Sequence, residues 1–278
     1  MRVLITGVTG FVGSSLAGHL SASGHEVRGT TTGASRNAPA GTFRHRLGAP
    51  VDDAMFDGMD VVVHAAHDLT SGSRKTNVVG TVALAEAARS RGVTRQIFIS
   101  SYSAHPGAVT EYGRTKAELQ DWFLAAELTV VQPGLVIGRG GLYARIAEVV
   151  RTHRVVPVVC PGALVPVVAL GDLNLCMAKL IETPVAGPVR LYLDERVTMR
   201  RLMEEIRRSV GSRAVLVPVP YPIARAAVAV LEAVRLPPQL GRDNLEGLRA
   251  NQGRAEPGDL PAYVSSPKGL VEMVDAAR

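Results

Sequence analysis

Tyr112 and Lys116 stand four residues apart at the head of a helix-like stretch, and Ile99-Ser100-Ser101-Tyr102-Ser103 closes an apolar run shortly before them. Residues four apart share one face of a helix, so the ammonium can sit near the phenol and favour its ionised form. A free tyrosine titrates near ~10 and needs such help to move a proton at neutral pH. A serine hydroxyl at the tip of the adjacent strand can hydrogen-bond the same substrate oxygen. The chemistry implied is proton transfer at a carbonyl or hydroxyl oxygen. A second set of residues opens the chain, where Gly7-Val-Thr9-Gly10-Phe11-Val12-Gly13 follows an apolar strand and runs into a stretch with Leu16 and Leu20 on one helical face. Glycines at this spacing, between strand and helix, present free backbone N–H groups and a helix N-terminus to a pyrophosphate. Gly7 is expected to make the tight turn, Gly10 to let phosphates approach the backbone, and Gly13 to let helix and strand pack closely.

Positioning these groups requires alternating strands and helices. Strands are expected at 3–6, 26–30, 43–46, 60–64, 96–100 and 129–133, with helices at 13–23, 52–56, 75–91 and 112–126 between them. Near-continuous Val, Ile and Leu in the strands indicate a parallel sheet covered on both faces. From about residue 138 prolines and glycines increase and the periodicity becomes irregular, with helices expected at 199–210 and 223–234. The fold class is therefore α/β: a doubly wound parallel sheet (Rossmann) with a smaller, partly interleaved C-terminal lobe. The expected division gives 1–138 and 168–182 to the nucleotide-binding domain, and 139–167 and 183–278 to the substrate lobe. A doubly wound sheet binds at the carboxyl ends of its strands, which is where these residues fall.

Composition sets bounds on the rest. The 278 residues are 46% apolar and 20% charged, enough to bury a full core. Two cysteines, Cys160 and Cys176, make no disulfide framework and read as small buried residues, so a reducing cytoplasm is expected. The net charge of +6 is scattered among acids and accompanied by few aromatics, so no nucleic acid is expected. No secretory leader is read at the start of the chain. The apolar stretches 155–170 and 214–234 are interrupted by prolines and charges, so no membrane association is expected, with the second stretch lying on a membrane surface as the alternative. His64 and His67 lack a third ligand, so no metal is expected. A loop histidine such as His67 is more often solvated than catalytic. Asp172 reads as a helix cap or domain-joining residue.

Taken in order, these motifs resemble the short-chain dehydrogenase/reductase superfamily, in its extended or atypical NAD(P)-dependent epimerase/dehydratase-like branch. The matching segments are GVTGFVG at 7–13, DVVVHAA at 60–66, NVVGT at 77–81, ISS at 99–101, YGRTK at 112–116 and QPGLVIG at 132–138, with further likeness at 168–182 and 216–232. The resemblance implies that Tyr112 is the general acid or base, that Lys116 holds the nicotinamide ribose and lowers the Tyr112 pKa, and that Ser101 orients substrate, with Ser103 as the fallback. Gly7, Thr9, Gly10, Phe11, Val12 and Gly13 would then hold the cofactor's phosphates. Ala65 and Ala66 would line its path, Asn77 would fix the region near the site, and Pro133 with Gly134 would border the nicotinamide.

Departures from that pattern refine the expectation. Thr30-Thr31-Thr32 stands where an Asp would bind the adenosine ribose of NAD, which removes repulsion from a 2′-phosphate. Thr32, Arg36, Arg28 and the unusual Arg46 are candidates for that end, so NADP(H) is favoured over NAD(H). The stretch from Ser101 to Tyr112 is short and has no Asp-Glu pair after the serine, which disfavours sugar 4,6-dehydration. Gln132 replaces an expected Arg, and the apolar second half suggests a pocket with few charges. The expected activity is a ketone–alcohol oxidoreduction on a moderately apolar small molecule, in a monomer or homodimer. The alternatives are an epimerase or isomerase retaining NAD, a cofactor-sensing regulator without turnover, and a redox-neutral enzyme on the same scaffold.

Overall fold

The first strand, β1 (Arg2–Thr6), is buried on both faces from Val3 onward and pairs in parallel with two neighbours, which makes it the centre of the sheet. The computed structural model describes residues 1–33, 38–233, 242–252 and 256–278. After β1 come α1 (Phe11–Ala22), β2 (Glu26–Thr31), β3 (Phe43–Arg44), β4 (Val61–His64), α2 (Arg74–Ser90), β5 (Arg95–Ile99), α3 (Glu111–Ala125) and β6 (Thr129–Pro133). A short 3-10 helix, Asp53–Phe56, lies between β3 and β4. The second half adds β7 (Leu135–Ile137), α4 (Gly141–Thr152), β8 (Val155–Val159), β9 (Val167–Ala169), α5 (Leu170–Glu182) and β10 (Gly187–Leu191). It ends with α6 (Met199–Ser209), β11 (Val215–Val219), α7 (Tyr221–Ala233), α8 (Arg242–Ala250), α9 (Leu260–Tyr263) and α10 (Leu270–Ala276).

Seven parallel strands in the order β10-β6-β5-β4-β1-β2-β3 form the main sheet. Alternate residues of each strand serve opposite faces. Val3, Ile5, Ile97 and Ile99 pack with Leu16 and Leu20 of α1 and Leu173 and Leu180 of α5. Leu4 and Val62 face Met55, Phe56 and Leu84 on the other side, where Phe98 and Val130 also meet Leu119 and Phe123 of α3. Covering both faces explains why these strands are apolar throughout.

A separate core joins Tyr143, Ile146 and Val150 of α4 to Leu202 and Ile206 of α6, Met273 and Val274 of α10, and Val156 and Val158 of β8. Two small parallel pairs, β7 with β9 and β8 with β11, flank it. One segment departs from the expected division: residues 187–191 do not stay with the second lobe but form the seventh strand of the main sheet, against β6. Leu260 and Val264 likewise return to the main core. The lobes are joined by Asp172, whose buried carboxylate accepts the backbone N–H of Lys268 at 2.9 Å. A second joint is the Phe11 ring, which fills space beside Gly138, Gly140 and Gly141; a β-carbon on Gly140 would lie 2.3 Å from that ring.

Candidate active site

The glycine turn leaves β1 through Gly7, whose φ of +68° suits glycine and whose missing side chain leaves room for Ala66, 2.9 Å from where a β-carbon would stand. Gly10, extended at φ −75° and ψ 170°, caps α1, which is why the helix begins at Phe11 and not at residue 13. Gly13 permits the close approach expected of it, since a β-carbon there would sit 2.4 Å from the Gly7 carbonyl oxygen. No side chain caps α1 and no acid occupies its first turn. The N–H groups of Phe11, Val12 and Gly13 therefore open at the positive end of a 12-residue helix, a donor set suited to a pyrophosphate. Thr30 Oγ1 accepts the Gly7 N–H at 3.2 Å, and the Thr9 and Thr31 hydroxyls lie 2.9 Å apart, so the end of β2 braces the turn.

At the ribose end, Thr32 lies exposed on the bend after β2. Arg36 falls outside the described residues. Arg28 is engaged by Glu26 at 3.0 Å, whereas Arg44 of β3 and Arg46 beyond it lie exposed.

The loop after β4 is held from both sides. Ala65 and Ala66 each donate a backbone N–H to Thr6 Oγ1 at 3.0 Å. Asn77 accepts the Asp68 N–H at 2.8 Å and donates to the Asp68 carbonyl at 2.8 Å, with Ser73 Oγ on the same carbonyl at 2.7 Å. Between these clamps His67 meets the Tyr112 ring edge-on, with centroids 5.1 Å apart. His64 is a core residue instead, bonded to Gln96 Oε1 at 2.8 Å and edge-on to Phe123.

Helix α3 is started by Thr110, whose hydroxyl accepts the Gly113 N–H at 3.0 Å. Glu111 accepts the backbone N–H groups of Gly72 and Arg74 at 3.0 Å each, tying α3 to the head of α2. Tyr112 thus enters in the first turn and Lys116 one turn later. Lys116, 3% exposed, donates to the Ile99 carbonyl at 2.7 Å with its Nζ 4.7 Å above the Phe98 ring. Ser101 hydrogen-bonds the Tyr112 phenol and accepts the Ser103 N–H at 3.2 Å. Ser100 turns away to Gln120 at 3.0 Å, and Ser103 is bonded to Asn251 at 3.1 Å. Pro133, at the buried end of β6, accepts the Tyr102 N–H at 2.9 Å and so carries the serine loop. A contact chain runs Gly7, Ala66, His67, Tyr112, Ser101, linking the turn to the serine-tipped end of β5.

Burial dominates the titration of this cluster. It depresses the Lys116 ammonium to about 7 and, together with the Lys116 charge, the His67 imidazolium to about 3. Burial also raises the Tyr112 phenol, and the Ser101 hydrogen bond offsets this in part. The sequence reading had Lys116 lowering the phenol. In the structure the Lys116 amine is held on Ile99, and Tyr112 answers to burial and to Ser101. A protonated phenol beside a serine hydroxyl, in surroundings where charge is costly, is equipped to give a proton to an incoming oxygen.

Two cavities flank this end of the molecule. One of about 240 Å³ lies beside Tyr102 and Tyr192 and includes Asp194, Arg196 and Glu256, more charge than the apolar second half led one to expect. The other, of about 470 Å³, is lined by Cys160, Pro161, Gly162, Ala163, Leu164 and Gln252 and holds no charged group. Among the described residues no helix is long and apolar enough to cross a membrane.

Sequence reasoning did not single out Thr6, Glu111 or Asn251. Thr6, a hydroxyl closing an apolar strand, carried the only visible signal.

Residues 3–122 match the NAD dependent epimerase/dehydratase family. The chain is 28% identical over 254 residues to ceramide reductase of Caulobacter vibrioides, covering 83% of this chain and 77% of that protein. It is 27% identical over 254 residues to sterol demethylase protein B of Methylococcus capsulatus, covering 76% and 75%. The solved structure of gox2253 superposes with a TM-score of 0.77 at 19% identity, over 99% of this chain and 96% of the other, which shows the shared fold. The glycine turn at the head of the seven-stranded parallel sheet thus lies within the segment, residues 3–122, that is similar to the NAD dependent epimerase/dehydratase family, and the relatives matched over most of the chain include a reductase.

Proposed function

We propose that the protein is an NADP(H)-preferring oxidoreductase that interconverts a ketone and a secondary alcohol on a moderately apolar molecule. The observation that carries this reading is the junction of Ser101, Tyr112 and Lys116 at the end of β5, in contact through His67 and Ala66 with the glycine turn. The nicotinamide, when bound, supplies or accepts hydride. Gly7, Thr9, Gly10, Phe11, Val12 and Gly13 would hold its phosphates, and Ala65, Ala66, Lys116 and Pro133 would border the rest. Ser101 orients the substrate oxygen with its hydroxyl. Tyr112 gives that oxygen a proton in the reducing direction, which its upward-shifted pKa favours. Lys116, held on the Ile99 carbonyl, would border the nicotinamide ribose.

NADP(H) is preferred because positions 30–33 carry no carboxylate to repel a 2′-phosphate, and Thr32 and Arg46 stand exposed there. An apolar substrate is supported by the uncharged 470 Å³ cavity and by two relatives named for ceramide and sterol. The two separate cores support a division of labour between a nucleotide-binding sheet, which includes 187–191, and a substrate lobe.

The test is NADPH oxidation against lipid ketones and sugar nucleotides, with Tyr112→Phe as the control. Tyr112→Phe is expected to lower kcat about 10³-fold while NADPH affinity stays within about threefold. Full turnover in that variant refutes the reading. Product formed with no net change in NADPH absorbance would instead assign a retained-cofactor epimerase.

A further inference from the structure

In the parallel pair of β8 and β11, Val155 faces Val215, Pro157 faces Val217, and Val159 faces Val219. Paired residues of a parallel ladder point to the same side, so six apolar side chains share one face. The opposite side packs inward through Val156 and Val158, which belong to the core of the second lobe, and through the half-buried Leu216. The shared face is open, with Val155 60% and Val215 59% exposed and Val217 and Pro157 also exposed; Ile223, four residues past the end of β11, is 60% exposed as well. At the heads of the two strands stand Arg154 and Arg213, with Arg207 in the last turn of α6 before β11, all exposed and none in an ion pair among the described residues.

We infer that this face docks on an anionic phospholipid bilayer, with the valines and Ile223 entering the headgroup boundary and the three arginines meeting lipid phosphates. Charge complementarity selects the occupant. An apolar face rimmed by arginines that no carboxylate among the described residues pairs suits an anionic interface. Pairing by strand addition is opposed by Pro157 and Pro218, which remove an N–H from each strand. The inference departs from the sequence expectation of no membrane association and goes beyond the proposed carbonyl chemistry. It also gives that chemistry a source of substrate, because β8 runs from this face directly into Cys160–Leu164, the lining of the uncharged cavity.

The test is flotation of the full chain with vesicles of equal phosphatidylglycerol and phosphatidylcholine, beside vesicles of phosphatidylcholine alone, with no turnover required. Binding to the anionic vesicles is expected to exceed that to the neutral ones at least tenfold and to fall as salt rises. Val155→Asp with Val217→Asp should reduce it more than tenfold. Arg154→Ser with Arg213→Ser should reduce it about 30-fold, at about fivefold per arginine. Val79→Asp, on the exposed side of α2, should leave it unchanged. The substituted positions are exposed, and circular dichroism checks the fold, while the salt series on the unaltered chain needs no variant. Equal binding to both vesicle types, no binding to either, or binding indifferent to the valine pair overturns the inference. So does a dimer by light scattering that the valine pair dissociates. Reductase assays in detergent report separately on the proposed function.

Discussion

Lys116 pits function against stability, and replacing it with methionine makes the conflict measurable. Burial takes its ammonium from the ordinary value of 10.5 to about 7, so below pH 7 the folded protein carries a charge it is poorly built to hold. At about 1.36 kcal/mol per tenfold change in proton affinity, that burden is about 5 kcal/mol at pH 6. Methionine removes it but leaves the Ile99 carbonyl without its donor, which costs about 1–2 kcal/mol. The variant should therefore be more stable than the parent by about 3 kcal/mol at pH 6, or about 6–12 °C in Tm for a chain of this size. The sign with pH follows from proton counting: between pH 7 and 10.5 the unfolded chain holds one proton more than the folded one, so the parent gains stability as pH rises. By pH 9 its burden has fallen to about 2 kcal/mol and the variant's advantage to about zero. Urea titrations of both proteins at pH 6 and pH 9, with NADPH turnover at pH 7.5, supply the readouts. Turnover should fall at least 10²-fold in the variant that melts higher. A variant less stable than the parent at pH 6, or a stability difference that does not move with pH, refutes the reasoning.

Gly13→Ala places a carbon against the Gly7 carbonyl and should cost about 2–4 kcal/mol in urea denaturation while weakening NADPH binding more than tenfold; a change under about 0.5 kcal/mol would contradict the packing described. Asn77→Ala removes both bonds to Asp68 and should destabilise by about 1–3 kcal/mol, with faster amide exchange at residues 66–69; unchanged exchange would show that the clamp is redundant. Thr32→Asp should shift preference from NADPH toward NADH by about tenfold or more, read as the ratio of kcat/KM values. An unmoved ratio would place the 2′ end elsewhere.

Six of the seven strands of the main sheet, all but β10, were legible to within two residues at each end, because stretches such as Val61–His64 can be buried on both faces only in a covered parallel sheet. The start of α1 was misjudged because Gly10 takes up an extended cap, a choice of backbone angle that composition does not display. The second half resisted reading for a different reason. Strands β7 and β9 are three residues each and exist by virtue of one another across some thirty residues of chain. β10 contains Gly, Pro and Arg and is strand-like only because β6 offers it an edge. Within the site, the order of glycine turn, serine-tipped strand and Tyr-Lys helix announces the convergence of groups. The hydroxyl of Thr6 and the amide of Asn77 announce nothing, since a polar side chain's partners depend on which loops the fold brings near. The burial that turns Lys116 into a near-neutral amine is equally a property of the assembled layers.

The aromatic ring of Phe11 is a peg, and Gly138, Gly140 and Gly141 are its socket. Because the peg belongs to the first turn of the helix whose amides would grip a pyrophosphate, and the socket to the entrance of the other lobe, neither can tilt without dragging its counterpart. An anion seated on those amides thereby stiffens the seam, and prying the lobes apart would loosen its own hold on the anion. Enlarging any of the three socket residues should thus be felt first as slack in coenzyme retention, at a distance from the reacting groups.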